Sequence, residues 1–271
     1  MSLPETTKVL TTLDRGWLTV TLNSPENRNA LSAELTAELS AVLDHCHNNY
    51  DIRGITLRGA GGTFCAGGDL KSFGKILSGG GDHDAVKAMN CAGGDLFTKI
   101  EALPQVVIAY VEGAAIAGGL GMMCCADIIV VHTDAKFALT ETALGIVPAQ
   151  IAPIVVARVG IATARRLMLT AARFTGAQTK EAGLSDYVVS HEGEFDEIER
   201  DIRTGVLSCA PRANALTKEI LLASRDMPRA ELLDYAADKF ADAMLSDEGK
   251  EGIMSFVTKQ KPSWAAQSGE D

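Results

Sequence analysis

The feature that most constrains this chain is a junction that occurs twice: a short, mainly apolar run, then a cluster of glycines, then a segment of helical periodicity. Residues 54–57 lead through Gly59-Ala60-Gly61-Gly62 into the segment 62–71, and residues 106–111 lead into the small-residue stretch 113–125. A short, mainly apolar run bounded by turn residues reads as a strand buried on both faces. Such strands are parallel, and parallel strands need crossover helices. The rest of the first 190 residues agrees. Runs at 9–13 and 17–22, split by Asp14-Arg15-Gly16, read as a hairpin. Ser32 caps a helix whose Leu35, Leu39, Val42, Leu43 and Cys46 recur at helical spacing, with Glu34 in its first turn. The glycines at 79–81 read as a loop, a helix over 84–102 stops before Pro104, and 128–131 is the next strand. Beyond Pro148 the segments 155–172, 179–183, 194–207, 211–223, 229–245 and 247–259 are helical in pattern. The expectation is an α/β layered core over 1–195 and a helical region over 196–271, with the polar end 263–271 frayed.

Charge narrows the partners. With 25 Lys+Arg against 35 Asp+Glu, the formal charge is −10. A surface of that sign repels polyphosphate backbones, which excludes nucleic acid and counts against polyanionic ligands in general. The uncharged stretches between Glu112 and Asp127 and between Glu141 and Arg158 are too short, and too broken by Gly or Pro, for a membrane span. The N-terminal residues show no basic region followed by an apolar run, and the six cysteines include no CxxC, so reduced thiols in the cytoplasm are expected. His45-Cys46-His47 lies on a helix, where residues i and i+2 point apart, so no metal site is expected there. No G-x-S-x-G elbow or GxxxxGK[ST] loop is present.

Three segments carry candidate chemistry. In Gly62-Thr63-Phe64-Cys65-Ala66-Gly67-Gly68-Asp69-Leu70-Lys71 a strand, glycines and a helix start can present backbone N–H groups to an anion, or else form a tight turn with Asp69 as a cap. Glu112–Gly121 repeats the arrangement, with free N–H groups expected at Gly118 and Gly119. Two donors from different junctions that converge would make an oxyanion hole. In the third segment Glu141 sits among apolar, Gly- and Pro-punctuated residues. If buried, its pKa rises by desolvation and suits proton transfer near neutrality; a salt-bridged surface glutamate is the alternative.

In this order and spacing the three segments resemble the crotonase superfamily of enoyl-CoA hydratases and isomerases, over nearly the whole chain. Asn27-Arg28-Asn29-Ala30-Leu31 resembles the family's NAL signature, and FCAGGDLK resembles its FCAGADLK. The stretch from Gly145 follows the acid as in the family, and 251–262 resembles the family's C-terminal helix. The resemblance implies a repeated ββα spiral core and C-terminal helices that assemble homotrimers or hexamers. It implies an acyl-CoA substrate, with coenzyme A as part of the substrate and no separate cofactor. Carried over by position, Gly68 and Gly118 would donate to the thioester oxygen and Glu141 would be the acid/base. Arg28, Ala30, Ala66, Gly67, Asp69, Leu70, Lys71, Gln150, Phe256 and Lys259 would bind substrate. Donors that meet the charge of an enolate lower a barrier by roughly 3–4 kcal/mol each.

Two departures matter. Hydratases of this family carry a second glutamate where this chain has Gly121, which favours a double-bond isomerase that needs one acid. Against that, Pro148-Ala149-Gln150-Ile151-Ala152-Pro153 resembles the hydratases that act on isohexenylglutaconyl-CoA, a branched enoyl-CoA with a carboxylate, where Gln150 would hold water or the polar end. Hydration of a branched 2-enoyl-CoA is therefore the leading expectation. A Δ3,Δ2-isomerase and a non-catalytic acyl-CoA-binding homologue are the alternatives. Glu101, Glu112 and Asp127 are expected to be structural. Coenzyme A itself is anionic, so local cations at Arg28, Lys71, Lys259 and Lys261 would have to override the net charge.

Overall fold

The computed structural model describes residues 3–267, the side chains of Lys75, Leu77, Ala266 and Gln267 excepted. The chain enters through a hairpin of β1 (Val9–Asp14) and β2 (Trp17–Leu22). Arg15 and Gly16 both take positive φ, as the type I′ turn of a two-residue hairpin loop requires. From β2 onward the sheet is parallel: β3 (Gly54–Gly59), β4 (Val106–Val111), β6 (Ile128–His132) and β9 (Tyr187–Val189) join it in the order β1-β2-β3-β4-β6-β9. The crossovers are helical, as the buried apolar runs demand. They are α1 (Ala33–His47) after β2, α2 (Leu70–Ser78) and α3 (His83–Glu101) after β3, and α4 (Gly118–Cys124) after β4. Ser32 does cap α1, its Oγ accepting from Leu35 N at 3.3 Å.

A second, smaller sheet was not legible beforehand. It consists of β5 (Ala114–Ile116), β7 (Lys136–Ala138) and β8 (Arg173–Thr175), with β5 and β7 parallel. The spiral now becomes visible, since β4 and β6 each pass one short strand to this layer, β5 or β7, before the next helix. The helices pack Leu35, Leu39, Phe97, Ile100, Leu120 and Met123 into the main core. The sheet's other face buries Trp17, Ile108, Tyr110 and Val130 under Phe195 of α6 (Glu192–Ser208), and the Tyr110 and Phe195 rings stack.

Three expectations shift. The helix α5 runs Ile151–Leu169, starting earlier than 155 because Pro153 falls in its first turn, where a missing N–H costs nothing; Gly160 at φ 73° breaks it midway. Residues 179–183 are turns after a 3-10 helix at Gly176–Gln178. The hydroxyl of the fully buried Thr179 bonds Gly176 O at 2.6 Å and Ser185 Oγ at 2.7 Å, a local alternative to a helix ladder. Residues Ser263–Gln267 form a 3-10 turn tied down by Trp264 Nε1 donating to Ser208 O at 3.3 Å, and 268–271 lie outside the described residues.

The C-terminal helices α7 (Pro211–Ala223), α8 (Arg229–Leu245) and α9 (Asp247–Thr258) bury a single residue between them, Ala215. Phe240, Leu245, Phe256 and Val257 all stand exposed. Among the described residues no helix is long and apolar enough to cross a membrane.

Candidate active site

Strand register, rather than any single motif, assembles the site. Cys65 and Ala115 form a parallel bridge, and Ala115 pairs with Phe137 across β5 and β7. The three residues make a row from which all three segments leave in the same direction. Gly68 and Gly118 each lie three positions beyond that row, and Glu141 lies four beyond it. Backbone bonds clamp the edge: Ile116 N donates to Cys65 O at 3.0 Å, Ala117 N to Ala138 O at 2.8 Å, and Leu31 N to Gly67 O at 2.8 Å.

The two glycine junctions thereby converge. A methyl built on Gly118 would stand 3.7 Å from Gly68 N, and one built on Gly67 would stand 3.2 Å from Gly118 N. Among the described residues, neither the Gly68 nor the Gly118 amide has a hydrogen-bond acceptor. Gly67 must be glycine, because its φ is 88° and a side chain would approach Ile116 O to 2.7 Å. Ala117, the N-cap of α4, takes φ 51° and ψ −121°, the first central position of a type II′ turn, where glycine is the usual residue. That turn rotates the peptide between Ala117 and Gly118 and sets the direction of the Gly118 amide. The strain is held at both ends, by Ala138 O accepting from Ala117 N and by Ala117 O accepting from Gly121 N at 3.1 Å.

Glu141 opens a 3-10 helix, Glu141–Leu144, and is 9% exposed. Its Oε2 is buried without a partner, and among the described residues the only other such side-chain atom is Gln105 Oε1. Desolvation raises the Glu141 pKa above the ordinary carboxylate value, a bond to its own backbone amide opposing it. The surface ion-pair alternative for Glu141 is therefore not what the fold adopts. Glu112, Asp127 and Glu101 pair with Arg58, Lys218 and Arg225 at 2.8, 2.5 and 2.7 Å, so these acids are committed to structure.

The remaining candidates divide. Asp69 caps α2: its carboxylate accepts from Ser72 Oγ at 2.7 Å and Lys71 N at 3.1 Å, and the Ser72 bond leads in holding its pKa down. Leu70 and Lys71 are exposed on the first turn beside Gly68, and Arg28 is exposed in the left-handed region with its carbonyl accepting from Ala66 N at 3.0 Å. Ala30 is buried beneath them. Gln150 is turned toward α3, donating to Asn90 Oδ1 at 2.7 Å, and with Cys91, Gly94 and Thr98 it lines a cavity of about 680 Å³. Phe256 and Lys259 stand exposed at the end of α9, which packs on α8. His45 and His47 flank Cys46, which belongs to the core, as do Cys124 and Cys125.

Sequence reasoning passed over four residues here. Asn29 is fully buried and pins the loops together: its Nδ2 donates to Ala60 O at 2.9 Å and Thr63 O at 2.7 Å, while its Oδ1 accepts from Ser24 N at 2.7 Å. Its place inside the NAL-like signature was the available signal. Phe73 lies over Gly68, Leu31 approaches Gly118, and Ile151 sits on Gly121, contacts that no spacing announces.

Comparison with known proteins places the family. The family described as enoyl-CoA hydratase/isomerase matches residues 13–267. The solved structure of Pseudomonas aeruginosa AtuE is 42% identical with a TM-score of 0.91, covering 96% of this chain and 100% of its own. A peroxisomal Delta(3,5)-Delta(2,4)-dienoyl-CoA isomerase of Arabidopsis thaliana is 34% identical over 90% of this chain and 91% of its own length. A probable enoyl-CoA hydratase of Bacillus subtilis is 30% identical over 92% and 95%. This chain belongs to the enoyl-CoA hydratase/isomerase family, the crotonase superfamily, and has its fold.

Proposed function

We propose that the protein hydrates a branched 2-enoyl-CoA with Glu141 as its single acid/base. The observation that carries the reading is the partnerless, buried Oε2 of Glu141 at the same strand edge as the free amides of Gly68 and Gly118. The Glu141 carboxylate takes a proton from water as the water oxygen bonds to C3. The C2–C3 π electrons move onto the thioester, whose oxygen becomes an enolate facing the two amides. Glu141 then returns the proton to C2, the thioester carbonyl re-forms, and the net change is addition of one water. The fixed amides meet charge that exists only past the ground state, where such donors contribute roughly 3–4 kcal/mol each.

In this reading Arg28 and Lys71 meet the phosphates of coenzyme A. Ala30, Ala66, Gly67, Asp69 and Leu70 shape its cradle. Gln150 faces the far, polar end of the acyl chain, while Phe256 and Lys259 complete the site from a neighbouring subunit. The exposed apolar faces of α8 and α9 support a trimer, alone or paired as a hexamer, and six unpaired thiols support the cytoplasm as its compartment. One observation favours a second reading, Δ3,Δ2-isomerisation: position 121 supplies no second acid. In that case Glu141 takes a proton from C2 of a 3-enoyl-CoA and returns it to C4 through a dienolate held by the same amides.

The conjugated-thioester absorbance separates these outcomes. Hydration bleaches a 2-enoyl-CoA, whereas isomerisation creates the signal from a 3-enoyl-CoA. The Glu141→Gln variant is expected to lose activity by roughly 10²–10⁴-fold. Wild-type turnover by that variant would refute the assignment. Thermal stabilisation by CoA esters without turnover of any enoyl-CoA would replace it with a binding role.

A further inference from the structure

We propose that Ile151 is the residue that restricts this active site to one carboxylate, and thereby determines which proton transfers it can perform. The proposal rests on the reading of Glu141 given above. Gly121 lies one helical turn after Gly118, so the two share a face of α4, and an acid at 121 would project beside the oxyanion amides. That space is filled. A Cβ at position 121 would stand 2.1 Å from Ile151 Cγ2 and 2.7 Å from Ile151 Cβ. Neither side can yield easily. Ile151 is 4% exposed at the first position of α5, where Ala152 N donates to Pro148 O, and α4 is held by the Ala117 turn.

The distances also say what would relieve the clash. Alanine at 151 removes Cγ2 but leaves a Cβ at 2.7 Å, still closer than real Cβ contacts come. Glycine at 151 leaves the Cα as the nearest atom, at 3.7 Å, an ordinary contact. A second acid is thus two coordinated substitutions away, in two different helices. Ile151 also walls the space with hydrocarbon, so no polar side chain at 121 shares the proton handled by Glu141.

A double-substitution cycle tests this without relying on activity. Gly121→Ala should lower the thermal midpoint by roughly 4–10 °C, an overpacking effect. Added to Ile151→Gly it should cost nothing further, whereas added to Ile151→Ala it should still destabilise. A Gly121→Ala variant that melts with the wild type, or a Gly121→Ala/Ile151→Gly pair that melts at the sum of the single effects, overturns the packing argument. For function, Gly121→Glu/Ile151→Gly should hydrate crotonyl-CoA at least about tenfold faster than Ile151→Gly or Gly121→Gln/Ile151→Gly, a gain that requires a carboxylate. Equal rates in all three overturn the claim that Ile151 limits the acid count. Retained activity in Glu141→Gln would instead remove the reading of Glu141 and leave the thermal cycle standing.

Discussion

Replacing the proposed catalytic acid should make the protein more stable. Glu141 is 9% exposed, its Oε2 has no partner, and burial raises its pKa. A group whose folded pKa lies above its unfolded value is a burden on the fold wherever it must ionise there. The burden is absent below the ordinary glutamate pKa, grows as pH rises toward the raised folded value, and is constant above it. Glu141→Gln keeps the shape and removes the charge. An unsatisfied buried polar group costs about 1–3 kcal/mol, more when charged, and because the glutamine amide is itself buried the net gain should fall near the low end. About 1 kcal/mol moves the midpoint of a chain this size by roughly 2–4 °C. The assay is thermal unfolding of both proteins from pH 4 to pH 8 at matched concentration. The two midpoints should coincide at the acid end and separate as pH rises, the variant above. A variant less stable at pH 8, or an offset that does not change with pH, would refute the claim that an ionised, unpartnered carboxylate is buried there.

Three further outcomes follow from particular contacts. Ala117→Gly relieves a strained backbone worth about 1–3 kcal/mol at a glycine entropy cost of about 0.5–1 kcal/mol, so its thermal midpoint should hold or rise. Its kcat should fall as the Gly118 amide loses its fixed direction, whereas a drop in midpoint would show that the turn is not strained. Asn29→Ala strips partners from Ser24 N, Ala60 O and Thr63 O and should destabilise by roughly 2–4 kcal/mol in denaturant unfolding. A loss under about 0.5 kcal/mol, the size of an ordinary surface change, would mean that the pin is dispensable. Arg28→Ala with Lys71→Ala should raise KM for CoA esters with little change in kcat, and the effect should shrink at high salt; an unchanged KM at low salt would remove both from the CoA site.

Five strands of the larger sheet and the glycine junctions were readable because each rests on a local signal: a run of mainly apolar or alternating residues, and a helix start after glycines as a compositional break. The strand β9 and the small sheet were not, since β5, β7, β8 and β9 are three residues each and no period can be measured over three residues. Glu141 could be named from its surroundings, but its burial depends on β7 pairing with β5, a long-range fact. Gly121 was legible as a missing acid and illegible as a filled space. Ile151 follows it by thirty positions and reaches it only because α5 packs across α4. The segment 179–183 misled because its pattern resembled a helix turn while the Thr179 hydroxyl had a closer partner in Gly176 O.

The charge argument fails in one direction for a related reason. A formal −10 describes a sum, but a bound ligand senses charge within a screening length of about 8 Å. Many of the acids in that sum are already answered locally: Glu112 by Arg58, Asp127 by Lys218, Asp186 by Arg158, Glu101 by Arg225, Asp14 by Arg203. Arg28 and Lys71 form no ion pair among the described residues, and both flank the segment that carries Gly67 and Gly68. Glu141, four positions beyond the same row of strand residues as the amides, is an acid whose surroundings resist ionisation. An extended polyanion would meet the average surface and be repelled. A compact one bound as proposed, with its phosphates at Arg28 and Lys71 and its thioester at the glycine amides, would meet two cations outside any ion pair, Asp69 being the acid that faces Lys71. Excluding nucleic acid and admitting coenzyme A are therefore compatible, since the two ligands sample the same charges over different lengths.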